Sequence, residues 1–136
     1  MFEHSTKVRV RYGETDQMGV VYYGNYALYY EVGRVEAIRS LGFSYNDLEK
    51  QLKVVMPVLE VNIKYLRPAY YDNLLTVRTT LTELPTKIIT YHSEIINEEN
   101  TIINTSSIKL CFLDAATRKM INIPDLLVNL LQPFFT

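Results

Sequence analysis

The chain has 136 residues, of which 48% are apolar and 21% charged, and its net charge is −1. That length can bury one core without covalent staples, so one domain spanning residues 1–136 is expected, and the near-zero charge argues against a polyanionic partner such as nucleic acid. A lone cysteine, Cys111, excludes an internal disulfide framework, and no stretch is apolar enough for a signal sequence or membrane span, so the expected setting is cytoplasmic.

Thr6 to Tyr12 alternates, with Val8, Val10 and Tyr12 on one face and Lys7, Arg9 and Arg11 on the other. This predicts a half-buried strand. His4, ahead of it, falls in a terminus expected to be mobile. Asn25 to Leu41 predicts a helix, because Leu28, Val32, Val35, Ile38 and Leu41 recur at helical spacing, Asn25 is a cap residue and Gly42 a stop. Its opposite face carries Tyr26, Tyr29 and Tyr30, so the helix is expected to be buried nearly all round. Ser44 to Leu52 predicts a second, short helix capped by Ser44 with Asp47 as capping-box partner.

From Val54 the period changes to two. Leu59, Val61, Ile63 and Tyr65 alternate with Glu60, Asn62 and Lys64, and Leu75, Val77, Thr79 and Leu81 follow after a turn at Pro68 to Asn73. Further strands are predicted at Lys87 to Ile96 and Thr101 to Leu113, separated by the polar turn Asn97 to Asn100, and a last helical turn at Asp125 to Leu131. Cys111 lies in an apolar strand pattern and reads as a buried structural thiol. The expected architecture is an antiparallel meander curled around one helix, with an open flank that a second copy could close.

The segment between the first strand and the helix carries the chemistry. Asp16 precedes a helix N-terminus, which offers unpaired backbone N–H groups and partial positive charge. Gly19 and Gly24 permit close approach of backbone to a ligand. A carbonyl oxygen aimed at the N–H of Tyr23 or Gly24 would be polarised there, while Asp16 attacked it or activated a water. An aspartate in a loop is also a common turn former, so spacing alone leaves both readings open. His92 falls within a strand, and one Cys with two separated His gives no metal-ligand cluster.

The segment YGETDQMGVVYYGNYALYYEVGRVEAIRSLG resembles the signature of hotdog-fold acyl-CoA thioesterases of the 4-hydroxybenzoyl-CoA thioesterase family. The matching positions are Asp16, Gly19, Val20, Val21, Tyr22, Tyr23, Asn25, Tyr26, Glu31 and Arg34, and IKYLRPAYYDN resembles a second family motif. The resemblance implies an α+β hotdog fold, a curled antiparallel β-sheet wrapped around one long central α-helix, in a homodimer or homotetramer with its site at the subunit interface. It also implies hydrolysis of an acyl-CoA thioester without a cofactor. Asp16 would be nucleophile or general base and the Tyr23 amide the oxyanion donor. Some members have His at the Tyr23 position; tyrosine there excludes an imidazole base. Tyr12, Gly19, Val20, Val21, Tyr22, Gly24, Asn25, Tyr26, Glu31 and Arg67 would line the substrate site. Lys64, Arg67, Lys87 and Arg118 are candidate cations for the CoA phosphates. Glu31 and Arg34, three apart on the helix, could pair with each other, or Glu31 could shape the acyl pocket. The alternatives are a carrier-protein thioesterase or a non-catalytic acyl-thioester binding module.

Overall fold

The computed structural model describes residues 1–135. Seven strands form one antiparallel sheet: β1 (Phe2–Arg9), β2 (Val54–Val55), β3 (Val58–Tyr65), β4 (Leu74–Leu81), β5 (Ile88–Ile96), β6 (Ile102–Asp114) and β7 (Met120–Ile121). Three helices accompany it: α1 (Tyr26–Arg39), α2 (Tyr45–Gln51) and α3 (Asp125–Leu131). The main strands run in the order β1-β4-β5-β6, and β3 pairs with the far side of β6.

This order corrects the expected meander. Strands β4, β5 and β6 are joined by hairpins, but β3 does not pair with β4, which instead takes β1 as its neighbour. The connection from Leu66 to Asn73 therefore leaves one edge of the sheet and enters its interior. Periodicity identifies strands without revealing partners, and the short β2 and β7 fell below its reach.

The first strand begins at Phe2, so His4 is paired with Thr79 inside the sheet rather than mobile. The strand ends at Arg9. Tyr12 opens a 3₁₀ turn, Tyr12–Glu14, and is 78% exposed. The clean alternation through Tyr12 continued past the point where the backbone turns away.

Strands β4 and β5 alternate strictly, with Leu75, Val77, Thr79 and Leu81 and then Ile89, Tyr91, Ser93 and Ile95 buried. Helix α1 lies on this face against β1 and β4. The approach is close at Gly33, where a Cβ would stand 2.6 Å from Val77 Cγ1 and 2.9 Å from Thr79 Oγ1. Only a residue without a side chain fits that crossing.

The helix is not buried nearly all round, and of the aliphatic face that spacing marks only the C-terminal part, Val35, Ile38 and Leu41, is covered. Leu28 and Val32 are 52% and 40% exposed, while Tyr26, Tyr29, Tyr30, Gly33, Ala37 and Ile38 face the core. Three tyrosines out-compete two aliphatics for the interior because each finds a partner for its hydroxyl there: Ala69 N–H, Glu14 and Asn104 respectively. Gly42, at φ +88°, follows the helix end as expected, and Ser44 and Asp47 form the predicted reciprocal cap of α2. Cys111 is buried.

Candidate active site

Residues 14–25 fold into a compact loop held at both ends. Thr15 bridges Val21, Asp16 N–H donates to the Val20 carbonyl at 2.9 Å, and Gly19 N–H donates back to the Asp16 carbonyl at 3.0 Å. Gly19 takes φ +81°, which a side chain would disfavour. Asp16 Oδ1 accepts from Met18 N–H at 2.9 Å and the residue is half-buried. One carboxylate oxygen is thus tied to the turn.

The loop rests on the Leu66–Asn73 connection. Val21 N–H donates to the Ala69 carbonyl at 2.9 Å, Val20 bridges Tyr70, and Ala69 N–H donates to the Tyr26 hydroxyl at 3.2 Å. The connection is fixed in turn by Asp72, at φ +69°, whose N–H donates to the Val10 carbonyl. The two sequence motifs thus meet in space, the second serving as the seat of the first.

Glu14 clamps the other end, a role its sequence context did not signal. Its carboxylate accepts from the Arg11 backbone N–H, the Arg11 guanidinium and the Tyr29 hydroxyl. Its backbone carbonyl accepts from Tyr22 N–H at 3.0 Å and Asn25 Nδ2 at 2.9 Å. Burial pushes the Glu14 carboxyl up, but the donors from Arg11 and Tyr29 outweigh it and hold the group below its ordinary value. Asn25 is therefore not the side-chain cap that sequence predicts: its backbone is already helical and its amide ties the helix start to Glu14.

Tyr23–Asn25 forms a 3₁₀ turn that runs directly into α1. The N–H groups of Tyr23 and Gly24 open this turn and have no partner within it. The rings of Tyr22 and Tyr23 meet at a tilt of 44°, with centroids 4.7 Å apart. The Tyr22 hydroxyl is held above the ordinary phenol range, first by the adjacent Tyr23 side chain and further by the negative charge of Asp16.

Two clefts flank this loop. The larger, about 580 Å³, is lined by Tyr12, Thr15, Asp16, Gln17, Gly19 and Tyr71, among others. The smaller, about 310 Å³ and mainly apolar, is lined by Val21, Tyr23, Tyr26, Tyr65, Leu66, Arg67 and Pro68. Within the single chain Asp16 opens to the first cleft and Tyr23 to the second. Arg67 lies in the second, whereas Lys64, on β3, and Lys87 and Arg118, in hairpin turns, line neither.

Glu31 is exposed and makes no ion pair with Arg34, contrary to one expectation for these two. Arg34 instead turns inward, 8% exposed, towards the hydroxyl pair of Tyr45 and Tyr91, which are 2.8 Å apart. Among the described residues no group of three or more His, Cys, Asp and Glu is placed to hold a metal, and no helix is long and apolar enough to cross a membrane.

The family model of the thioesterase superfamily matches residues 18–103. The chain belongs to the thioesterase superfamily. YbgC of Escherichia coli, an acyl-CoA thioester hydrolase, is 31% identical over 121 residues, which cover 89% of this chain and 90% of that one. YneP of Bacillus subtilis is 48% identical over 73 residues, and the match spans about half of each chain, 54% of this and 52% of that. A crystal structure of DHNA-CoA thioesterase from Staphylococcus aureus superposes with a TM-score of 0.85 at 36% identity, over 99% of this chain and 85% of that one. The hotdog fold and the thioester-hydrolase class that the sequence motif implies both follow from these relationships.

Proposed function

We propose that this chain hydrolyses acyl-CoA thioesters to a free acid and CoA, using Asp16 as the attacking or water-activating carboxylate and the Tyr23 N–H as oxyanion donor. The observation that supports this reading is the Glu14–Asn25 loop, one hydrogen-bonded segment that carries Asp16 and leads into the helix start, where the Tyr23 and Gly24 N–H groups have no partner in their own turn. A thioester carbonyl oxygen directed at the first amides of α1 gains hydrogen bonds that strengthen as charge develops on it. Asp16 then either bonds to the carbonyl carbon and expels the CoA thiolate, leaving an anhydride for water to open, or takes a proton from a water that attacks. The acyl group occupies the apolar cleft bounded by Val21, Tyr26 and Tyr65, with Arg67 near the mouth for the charged carrier.

The site works between two copies of the chain. Val58, Leu59, Val61 and Tyr65 on β3 are exposed on both faces of an edge strand, and Leu28 and Val32 of α1 are exposed as well. Such a strand is a ready partner for its own symmetry mate. The one domain, acting in a cytoplasmic setting, needs no cofactor for this chemistry.

The deciding experiment follows thiol release from a panel of acyl-CoAs with wild type and Asp16→Asn at matched folding. Turnover should fall by about 10²–10⁴ in the variant, the range for loss of a positioned acid or base. Equal turnover would sink the role of Asp16. Tight binding without turnover in wild type would favour a binding module.

A further inference from the structure

Among the described residues, the buried side-chain atoms without a partner are His4 Nδ1, Arg34 Nε, Thr79 Oγ1, Asn104 Nδ2 and Ser106 Oγ. All but Arg34 belong to the helix-facing side of the sheet. His4 stands opposite Thr79, Thr79 opposite Ser93 and Ser93 opposite Ser106, one polar rung crossing four strands. Asn104 adjoins this rung on β6 and points to the same face as Ser106.

Asn104 is fully buried, and its Oδ1 accepts from the Tyr30 hydroxyl at 2.5 Å. Tyr30 is itself buried, so the bond is dry, and it occupies one end of the amide only. Turning the amide over exchanges which end Tyr30 holds and leaves the other bare. A buried amide end without a partner is costly, and a ligand that supplies the partner recovers that cost. Ser106 Oγ comes close enough to the Tyr30 hydroxyl to temper the rise that burial causes there, yet it is not in hydrogen-bonding geometry with it.

This polar pair adjoins two residues that line the apolar cleft. Asn104 is the cross-strand neighbour of Tyr65, and Tyr30 follows Tyr26 by one helical turn. Tyr26 and Tyr65 both line the cleft, and their rings meet edge to face at 5.4 Å. Tyr65 is half exposed and its hydroxyl makes one long bond, 3.3 Å, to the Tyr23 carbonyl. Next to two of the residues lining the cleft there are thus an unpaired amide and an unpaired hydroxyl.

We propose that Asn104, oriented by Tyr30 and flanked by Ser106, receives a hydroxyl group at the far end of the acyl chain. One hydroxyl can accept from Asn104 Nδ2 and donate to Ser106 Oγ, which satisfies both orphans. The inference rests on the reading that the apolar cleft takes the acyl group. A site of this kind rejects an analogue lacking the hydroxyl, because both buried groups then stay unpaired.

The test uses matched pairs of acyl-CoAs, hexanoyl against 6-hydroxyhexanoyl and phenylacetyl against 4-hydroxyphenylacetyl. The ratio of kcat/KM within each pair is measured for wild type and Asn104→Leu, and the ratio of affinities is measured calorimetrically on Asp16→Asn with and without Asn104→Leu. Wild type should favour the hydroxylated member of at least one pair tenfold or more, and the ratio should fall to about one when Asn104 is replaced. A wild-type ratio near one in both pairs, or a preference that survives Asn104→Leu, overturns the assignment. If Asn104→Leu does not fold, Ser106→Ala removes the other proposed partner of the hydroxyl, and the wild-type preference should then fall at least threefold; a preference left unchanged overturns the assignment. Absence of turnover on every thioester would count against the hydrolase reading alone, since the affinity ratios still judge Asn104.

Discussion

Replacing Tyr29 by Phe removes one oxygen from the core and tests how the loop bearing Asp16 is held. Tyr29 is buried and its hydroxyl donates to Glu14 Oε1 at 2.9 Å, while the Glu14 side chain is only 12% exposed. A hydrogen bond to a charged, mostly buried acceptor contributes about 1.5–3 kcal/mol. The lower part of that range applies, because Oε1 keeps the Arg11 backbone donor, so about 2 kcal/mol should be lost. With an unfolding entropy of about 2.1 cal/mol/K per residue, the midpoint of a chain of 136 residues should fall by about 7 °C. The loss should also depend on pH. The Glu14 carboxyl is held below its unfolded value of 4.5, so its contribution is complete above that pH and disappears as pH falls through the folded value. Tyr29→Phe brings the folded value nearer the unfolded one, and the gap from wild type should be widest at neutral pH and narrow in acid. Thermal melts from pH 3 to 8, with thioester turnover at pH 7, make the measurement. A variant as stable as wild type across that range, with equal kcat, would refute the clamp.

Gly33→Ala should destabilise the protein by about 1–3 kcal/mol despite alanine's better helix propensity, since the new methyl meets Val77 and Thr79 at less than contact distance; denaturant unfolding reads this directly. Ser44→Ala removes a hydroxyl that accepts from Asp47 N–H at 3.0 Å and should cost about 1 kcal/mol, with no change in kcat, as α2 lies away from the Asp16 loop. Val61→Lys places a charge on the exposed edge strand and should shift sedimentation towards the monomer; an unchanged distribution would exclude β3 from the contact between copies.

Sequence periodicity and capping signals were enough to find the five longer strands, the three helices and the cap of α2, because each depends on residues within one or two turns of each other. Pairing was not legible: nothing in Val58–Tyr65 says that its neighbour is β6 rather than β4, since that choice is made by a connection whose bonds go to Val10 and Val21. The buried face of α1 was misjudged for a related reason. Aliphatic spacing marked Leu28 and Val32, but the partners of the three tyrosine hydroxyls come from residues 14, 69 and 104, all distant along the chain. Glu14 escaped notice as a structural hub because its donors include a side chain fifteen residues away. Asp16 and the first amides of the helix were legible as a candidate pair, since both lie in one short motif; that they open to separate clefts was not.

The seat beneath the loop has a bearing on how the molecule is made. Residues 20 and 21 are bonded to 69 and 70, and β1 pairs with residues 74–81. During synthesis, the loop with Asp16 emerges some fifty residues ahead of the segment it rests on, and β1 at least 65 residues ahead of the strand it pairs with. Closing such separations is slow relative to local helix formation. Helix α1 can therefore form early, but the loop at its head cannot take its working shape until the chain has returned to lie beneath it. On the role proposed for Asp16, catalytic competence arrives with closure of the sheet, and a nascent or partly opened chain carries that aspartate without a seated loop.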